Sequence, residues 1–243
     1  ILTACMTVVT SLILFLFIIL GLLNLLEMST PIARLAGNDI GSLSSGLQLQ
    51  TTMSLISRLL NAFFMPLLGY LSDSLAFSSL DTSAFIIFSF LSILIIINIF
   101  FIKGYIYSLY RSICLSILKK GSVFGFVSFY KKYDLDFEIS TRLKLFTKLR
   151  VITVIAFFPL YISWPLIFIL LGLFPQNRGL VLGLSTLING VNTLTLVLLV
   201  DPYLLRVAQH KRLANLLFKD QIQLRVVASI IALFFMIFVK LLV

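Results

Sequence analysis

Arg58, Asn61 and Pro66 stand in the middle of "SLISRLLNAFFMPLLGYLSD", residues 54–73, a stretch apolar enough to sit in lipid. A cation at mid-membrane costs at least about 2.5–3.5 kcal/mol, so it is kept only where it faces protein or water. Thr51, Ser54, Arg58 and Asn61 follow spacings of three, four and three, which puts them on one helical face, with Gln50 a turn earlier. Two chemistries suit that face. Arg58 lines a cavity and binds an anion, or it holds free carbonyls or a carboxylate and stabilises a helix bundle. Pro66 removes a helical hydrogen bond and frees the carbonyl near Ala62. Hydrocarbon tolerates such a group only beside protein or a wet cavity.

Two other stretches carry polar groups at similar depth. "LLEMSTPIARLAGNDIGS", residues 25–42, sets Glu27, Arg34, Asn38 and Asp39 around Pro31 at the end of the first apolar run. Arg34 suits a pairing with Glu27 or with a phosphate. "STLINGVNTLTLVLLVDP", residues 185–202, places Asn189 and Asn192 one turn apart, with Thr193 alongside and Asp201-Pro202 at its close. Amides at depth offer donors and acceptors to a polar substrate, or join neighbouring helices. The same choice applies to Gly179 and Gly183, a small-xxx-small pair that favours close helix packing.

The elements that must position these groups follow from composition. The chain is 60% hydrophobic and 12% charged, with mean hydropathy +1.13. Such a chain is a multi-span membrane protein, and long aliphatic runs without alternation make the spans helical. At about 20 apolar residues per crossing, the spans fall at roughly 3–26, 43–72, 83–103, 151–174, 180–200 and 226–243. Pro159 and Pro165 interrupt the fourth, and Asp201-Pro202 closes the fifth. The expected fold is therefore an all-α polytopic membrane protein in one membrane domain. Helices one to three occupy 1–103, a basic amphipathic loop occupies 104–150, and helices four to six occupy 151–243.

The loop mixes Lys119, Lys120, Lys131 and Lys132 with Tyr105, Phe124, Phe129 and Tyr130. That pattern suits helices lying in the headgroup layer, the alternative being a solvated basic loop. A second basic connection, 203–225, carries Arg206, Lys211, Arg212, Lys219 and Arg225. The net charge is +10, with the cations flanking apolar spans. The positive-inside rule and anionic headgroups account for this without nucleic acid. With six spans, Arg34, Lys103 and both basic connections share one face, while Arg178 and Lys240 stand opposite. The basic face is expected in the cytoplasm, with both termini outside.

One histidine, His210, and two distant cysteines, Cys5 and Cys114, cannot build a metal site. The sequence has no phosphate-cradling glycine loop, dinucleotide fingerprint, nucleophile elbow or zinc-protease motif. The expectation is a protein that is not an enzyme and uses no cofactor.

Residues 32–73, "IARLAGNDIGSLSSGLQLQTTMSLISRLLNAFFMPLLGYLSD", and 184–208, "LSTLINGVNTLTLVLLVDPYLLRVA", together resemble the Amj family, bacterial lipid II flippases that are alternates to MurJ. The carriers are R-L-A-G after the first span, S-R-x-x-N followed by P-L-L-G in the second, and L-I-N-G with V-D-P in the fifth. The family-like positions are Arg34, Ala36 and Gly37; Ser57, Arg58, Asn61, Pro66 and Gly69; and Asn189, Gly190, Asp201 and Pro202. Glu27 departs from the pattern, which has Asp there, and 104–150 does not align. The resemblance implies movement of undecaprenyl-pyrophosphate-linked disaccharide-pentapeptide from inner to outer leaflet. Arg58 and Arg34 would then take the pyrophosphate. Asn61, Asn189 and Asn192 would take sugar or peptide groups, and Glu27 or Asp201 would couple an ion. The implied partners are lipid II or a related polyprenyl-pyrophosphate-linked saccharide, anionic membrane lipids and, since one copy gives a small groove, a second copy in a homodimer. The rival reading is an ion-coupled transporter or channel for another small or lipid-linked anionic solute, in which Arg58 sets selectivity.

Overall fold

The first two helices set the frame. In the computed structural model, which describes residues 2–73, 102–133, 147–207 and 210–242, α1 (Leu2–Asp39) and α2 (Leu43–Asp73) form an antiparallel hairpin. Gly41 makes its turn at φ +79°, a backbone region that side chains strain to enter. Just inside the turn the helices nearly touch. A Cβ added at Gly37 would lie 2.5 Å from the Gly46 Cα, and one added at Gly46 would lie 2.8 Å from the Ala33 carbonyl oxygen. Only glycine permits that approach, the usual device where apolar packing alone cannot draw helices together in lipid.

The remaining elements are α3 (102–120), which turns back through a short 3-10 segment at Phe126–Phe129; α4 (Thr147–Leu173); a 3-10 turn at Pro175–Asn177; α5 (Arg178–Thr195); a π turn at Leu196–Val200; α6 (Asp201–Val207); and α7 (Lys211–Leu242). α1 packs on α2 and α7, and α4 packs on α5 and α7. α4 bends by 42° at Pro165, whose missing N–H ends the helical ladder there. Two cores result. Phe157, Tyr161, Phe218 and Ile222 are buried with Met28 and Ile32 at the hairpin-turn end. Leu20, Phe64, Trp164, Phe168 and Val181 form the other. There the Phe64 and Trp164 rings meet edge to face, 4.4 Å apart at 75°, a geometry worth about 0.5–1.5 kcal/mol beyond burial.

Among the described residues four helices are long and apolar enough to cross a membrane: Ser11–Asp39, Leu43–Tyr70, Arg178–Leu204 and Leu213–Val239. The bent α4, Lys148–Trp164 with Leu166–Leu173, makes a fifth if counted as one span. The chain is thus an all-α protein of membrane type. Leu55, Phe63, Leu187, Leu198, Phe234 and Phe238 point outward, where hydrocarbon accepts them.

Several sequence boundaries move. The first span does not end near residue 26, because α1 runs on through Pro31 to Asp39. Asp201-Pro202 does not close the fifth, because the π turn carries the helix on to Val207. Residues 211–225 are not a connection but the first half of α7, so Lys219 and Arg225 lie within an apolar span. For Arg225 the reason is that its charge is answered by Glu27 and Thr30 on α1 and Phe157 on α4, which a hydropathy count does not see. The 104–150 segment begins as helix α3, with Tyr107, Tyr110 and Cys114 buried. The expected third span at 83–103 lies outside the described residues, apart from its last two.

The glycine contact yields a direct test. Gly46→Ala should lower stability by about 1–3 kcal/mol through overpacking, whereas Gly190→Ala, with nothing within 4 Å of the new Cβ, should be neutral or slightly stabilising in detergent thermal melts.

Candidate functional site

A cleft of about 570 Å³ opens between α2 and the α5–π–α6 segment, within the size range of small-molecule sites. Its floor is made by Asn24, Glu27 and Thr30 of α1, with Leu160 and Trp164 of α4. Ser54, Ser57, Arg58 and Asn61 line it from α2, and Thr186, Gly190, Asn192 and Thr193 from α5. α2 and α5 touch at one end, where Ser185 Oγ lies 3.6 Å from Met65 Sδ and a Cβ on Gly69 would sit 3.6 Å from Leu182 Cδ1. The opposite end is crossed by an ion pair: Arg34 Nη2 donates to Asp201 Oδ1 at 2.7 Å, and Arg34 Nε donates to Gln50 Oε1. Beyond that bar lies a second, small cavity of about 50 Å³, which Arg225 also borders.

The π turn explains how Asn192 and Asp201 both reach the cleft. In an unbroken α-helix, residues nine apart point about 180° away from each other. The extra residue of a π turn reduces that offset to roughly 80°, bringing both side chains towards α2.

Pro31 explains a second feature. Its ring removes the N–H that would bond the Glu27 carbonyl. Arg225 Nη1 donates to that carbonyl oxygen, and to Thr30 Oγ1 at 2.7 Å. Thr30 Oγ1 also donates to the Glu27 carbonyl, at 3.0 Å. The Arg225 guanidinium lies 4.0 Å above the Phe157 ring, a cation–π contact that shares its positive charge with the π face. The Glu27 carboxylate accepts from Ser57 Oγ at 2.8 Å.

Three polar atoms in the cleft wall are buried without a hydrogen-bond partner: Asn61 Oδ1, Asn192 Oδ1 and Arg225 Nε. Leaving such a group dry costs about 1–3 kcal/mol. Three on one cavity mark a surface built for water or a polar ligand. Arg58 stands exposed on the rim, and among the described residues no carboxylate lies within ion-pair distance of it. The cleft's cationic side chains, Arg58 and Arg225, retain donors for an anion, while its amides can bond hydroxyl or amide groups.

The residues singled out in the sequence meet here unevenly. Arg58, Asn61, Asn192, Glu27 and Asp201 all line the cleft. Arg34 does not pair with Glu27; its guanidinium is committed to Asp201 and Gln50 and lines the small cavity instead. Asn189 lies on α5, and its side chain falls outside the described part of the structure. Arg225 is the residue that sequence reasoning misses, since it was assigned to a basic connection. The signal that could have found it is Pro31, because an intramembrane proline creates an acceptor that needs a donor. Among the described residues no group of His, Cys, Asp and Glu is arranged to hold a metal. No protein-family model, curated protein or solved structure matches the chain.

Two outcomes follow from this geometry. In a background lacking the native cysteines, Ser54→Cys should react with a small membrane-impermeant thiol reagent about tenfold faster than Leu187→Cys, because only a hydrated thiol ionises readily. Arg225→Ala should cost about 1.5–3 kcal/mol in thermal melts by removing the charged donor to the Glu27 carbonyl and Thr30 and leaving that carbonyl to the Thr30 hydroxyl alone, whereas Arg58→Ala should melt like the unaltered chain.

Proposed function

We propose that this protein moves lipid II, or a closely related polyprenyl-pyrophosphate-linked saccharide, from the inner to the outer leaflet of the cytoplasmic membrane. The single observation that carries the reading is the cleft's inventory: an Arg58 with no ion pair and three buried polar atoms with no hydrogen-bond partner among the described residues, inside an apolar bundle. A lipid-linked head must pass about 30 Å of hydrocarbon while its isoprenoid tail stays in lipid. Burying its charges unaided is prohibitive. A polar cleft between two helices, open on one flank, answers both demands. In this reading Arg58 and Arg225, which line the cleft, would take diphosphate oxygens, and Asn61 and Asn192 would take sugar or peptide groups. The motif resemblance in residues 32–73 and 184–208 names the cargo class, and the cleft draws its walls from those same stretches. In this reading the chain crosses the membrane six times with both termini outside, its basic loops facing the cytoplasm. The work is transport, without chemistry on the cargo.

A second reading is favoured by one observation. Glu27 places a carboxylate in the cleft that is bonded to a serine hydroxyl, with no ion pair among the described residues. Such a group suits a coupling ion in a transporter for a small anionic solute. Vesicles containing the purified protein separate the two. Movement of a polyprenyl-linked head supports the first reading, and uptake of a soluble anion without lipid movement supports the second.

The decisive cellular test is growth of bacteria depleted of their lipid II flippases. The unaltered protein should restore wall synthesis, and Arg58→Ala at matched abundance should reduce it by tenfold or more, equivalent to about 1.4 kcal/mol or greater in the transport step. Equal rescue by the variant would remove Arg58 from the mechanism. Failure of the inserted, unaltered protein to rescue would remove lipid II as cargo.

A further inference from the structure

α3 lies at a definite depth. Its Tyr107 hydroxyl donates to Asp39 Oδ2 at 2.6 Å, and its Tyr110 hydroxyl lies 2.7 Å from Ser29 Oγ. Asp39 is the last residue of the apolar span Ser11–Asp39 and Ser29 lies within it, so the helix is tied both to the end of that span and to a point inside it. Burial and the Asp39 carboxylate raise the Tyr107 phenol, and burial pushes Tyr110 up to about 12, so both keep their protons at any physiological pH.

Beyond α3 the chain turns at Gly121 and folds back along the helix. Ser116 Oγ donates to the Ser122 carbonyl at 2.7 Å, and the Tyr133 N–H donates to Ser108 Oγ at 2.8 Å. At the tip of this strap two apolar side chains stand clear of the protein: Phe124 is 91% exposed and Val127 73%. Lys119 and Lys120 stand beside this tip, Lys131 and Lys132 stand at the strap's other end over the Tyr133 and Tyr105 rings, and residues 102–133 contain no acidic residue. Lys119 and Lys120 lie 5.4 and 5.2 Å from the Phe129 ring centre. Exposed apolar groups beside lysines, on a strap carried by a helix tied to the end of a span, have the make-up of an interfacial anchor.

We propose that the 121–133 strap is a docking surface for anionic lipid headgroups, with Phe124 and Val127 entering the acyl boundary and the four lysines meeting phosphate. This assignment does not rest on the cargo of the cleft. It commits to the bilayer as occupant because the strap is fastened to the end of a span, its charge has one sign, and its apolar groups form a tip.

The test uses the full chain in nanodiscs. Phe124→Trp adds a second indole to the single Trp164. Lipids brominated on the acyl chain should quench the added emission at least twofold more in discs with one-third phosphatidylglycerol than in purely zwitterionic discs. Replacing Lys119, Lys120, Lys131 and Lys132 by glutamine should abolish that difference. Equal quenching in both discs would overturn the role of anionic lipid. Absence of added quenching in both, with the new indole open to aqueous iodide, would overturn membrane contact and leave a soluble partner surface. The unaltered chain supplies an independent readout. Its Lys119, Lys120, Lys131 and Lys132 should react with an amine reagent several-fold more slowly in anionic discs, and unchanged rates would count against the proposal.

Discussion

The carbonyl of Glu27 is the point on which the bundle turns. Pro31 takes away its helical donor in the middle of an apolar span, where no solvent is at hand to replace it. Arg225 arrives from the far end of the sequence to bond that oxygen, with Phe157 beneath its guanidinium. A defect in one helix thereby specifies the packing of α1, α4 and α7. Similar reasoning covers the rest of the polar seam. Arg150 grips Asp220 through two bonds of 2.9 and 2.8 Å, joining α4 to α7, and Gln221 donates to Thr153 at 3.0 Å one residue along. Asn38 donates to Asn215 at 2.5 Å, which in turn donates to Asp39. These links run about 18 Å up α1 from Asp39 to Glu27, at 1.5 Å per residue. They hold one end of the bundle together by geometry that apolar packing alone does not specify.

The cleft is what remains where that seam stops finding partners. Below it, cations meet carboxylates and amides meet amides. At the level of Arg58, Asn61 and Asn192, polar groups face one another across a gap. Closing the gap would bring α2 and α5 together along their full length, but the π turn and Asp201-Pro202 give the α5–α6 segment a different path from α2. The Arg34–Asp201 pair then bars the lower end. The cavity is therefore bounded at both ends by named contacts and polar through its middle.

Much of this was legible in the sequence, and the limits are physical. The 3-4-3 spacing of Thr51, Ser54, Arg58 and Asn61 marked one polar face of α2, and Ser54, Arg58 and Asn61 do line the cleft. Asn192 and Asp201 were legible as polar residues at depth, but not as neighbours, since their spacing suggests opposite faces until the π turn is known. Arg225 was hidden because hydropathy weighs each residue by itself, whereas a buried guanidinium is stabilised by groups almost two hundred positions away. The same blindness ended the first span too early, at a glutamate whose charge is offset by Ser57. Gly37 stood out as part of a motif, but the reason for it, contact with Gly46, belongs to the folded hairpin.

That contact has a consequence for motion. With Gly37 and Gly46 already at backbone contact, α1 and α2 have no room to close further near their turn. Any widening of the passage falls to the opposite jaw. There the helix carries its own joint, the π turn followed at once by Pro202, where ladder bonds are already rearranged and bending costs least.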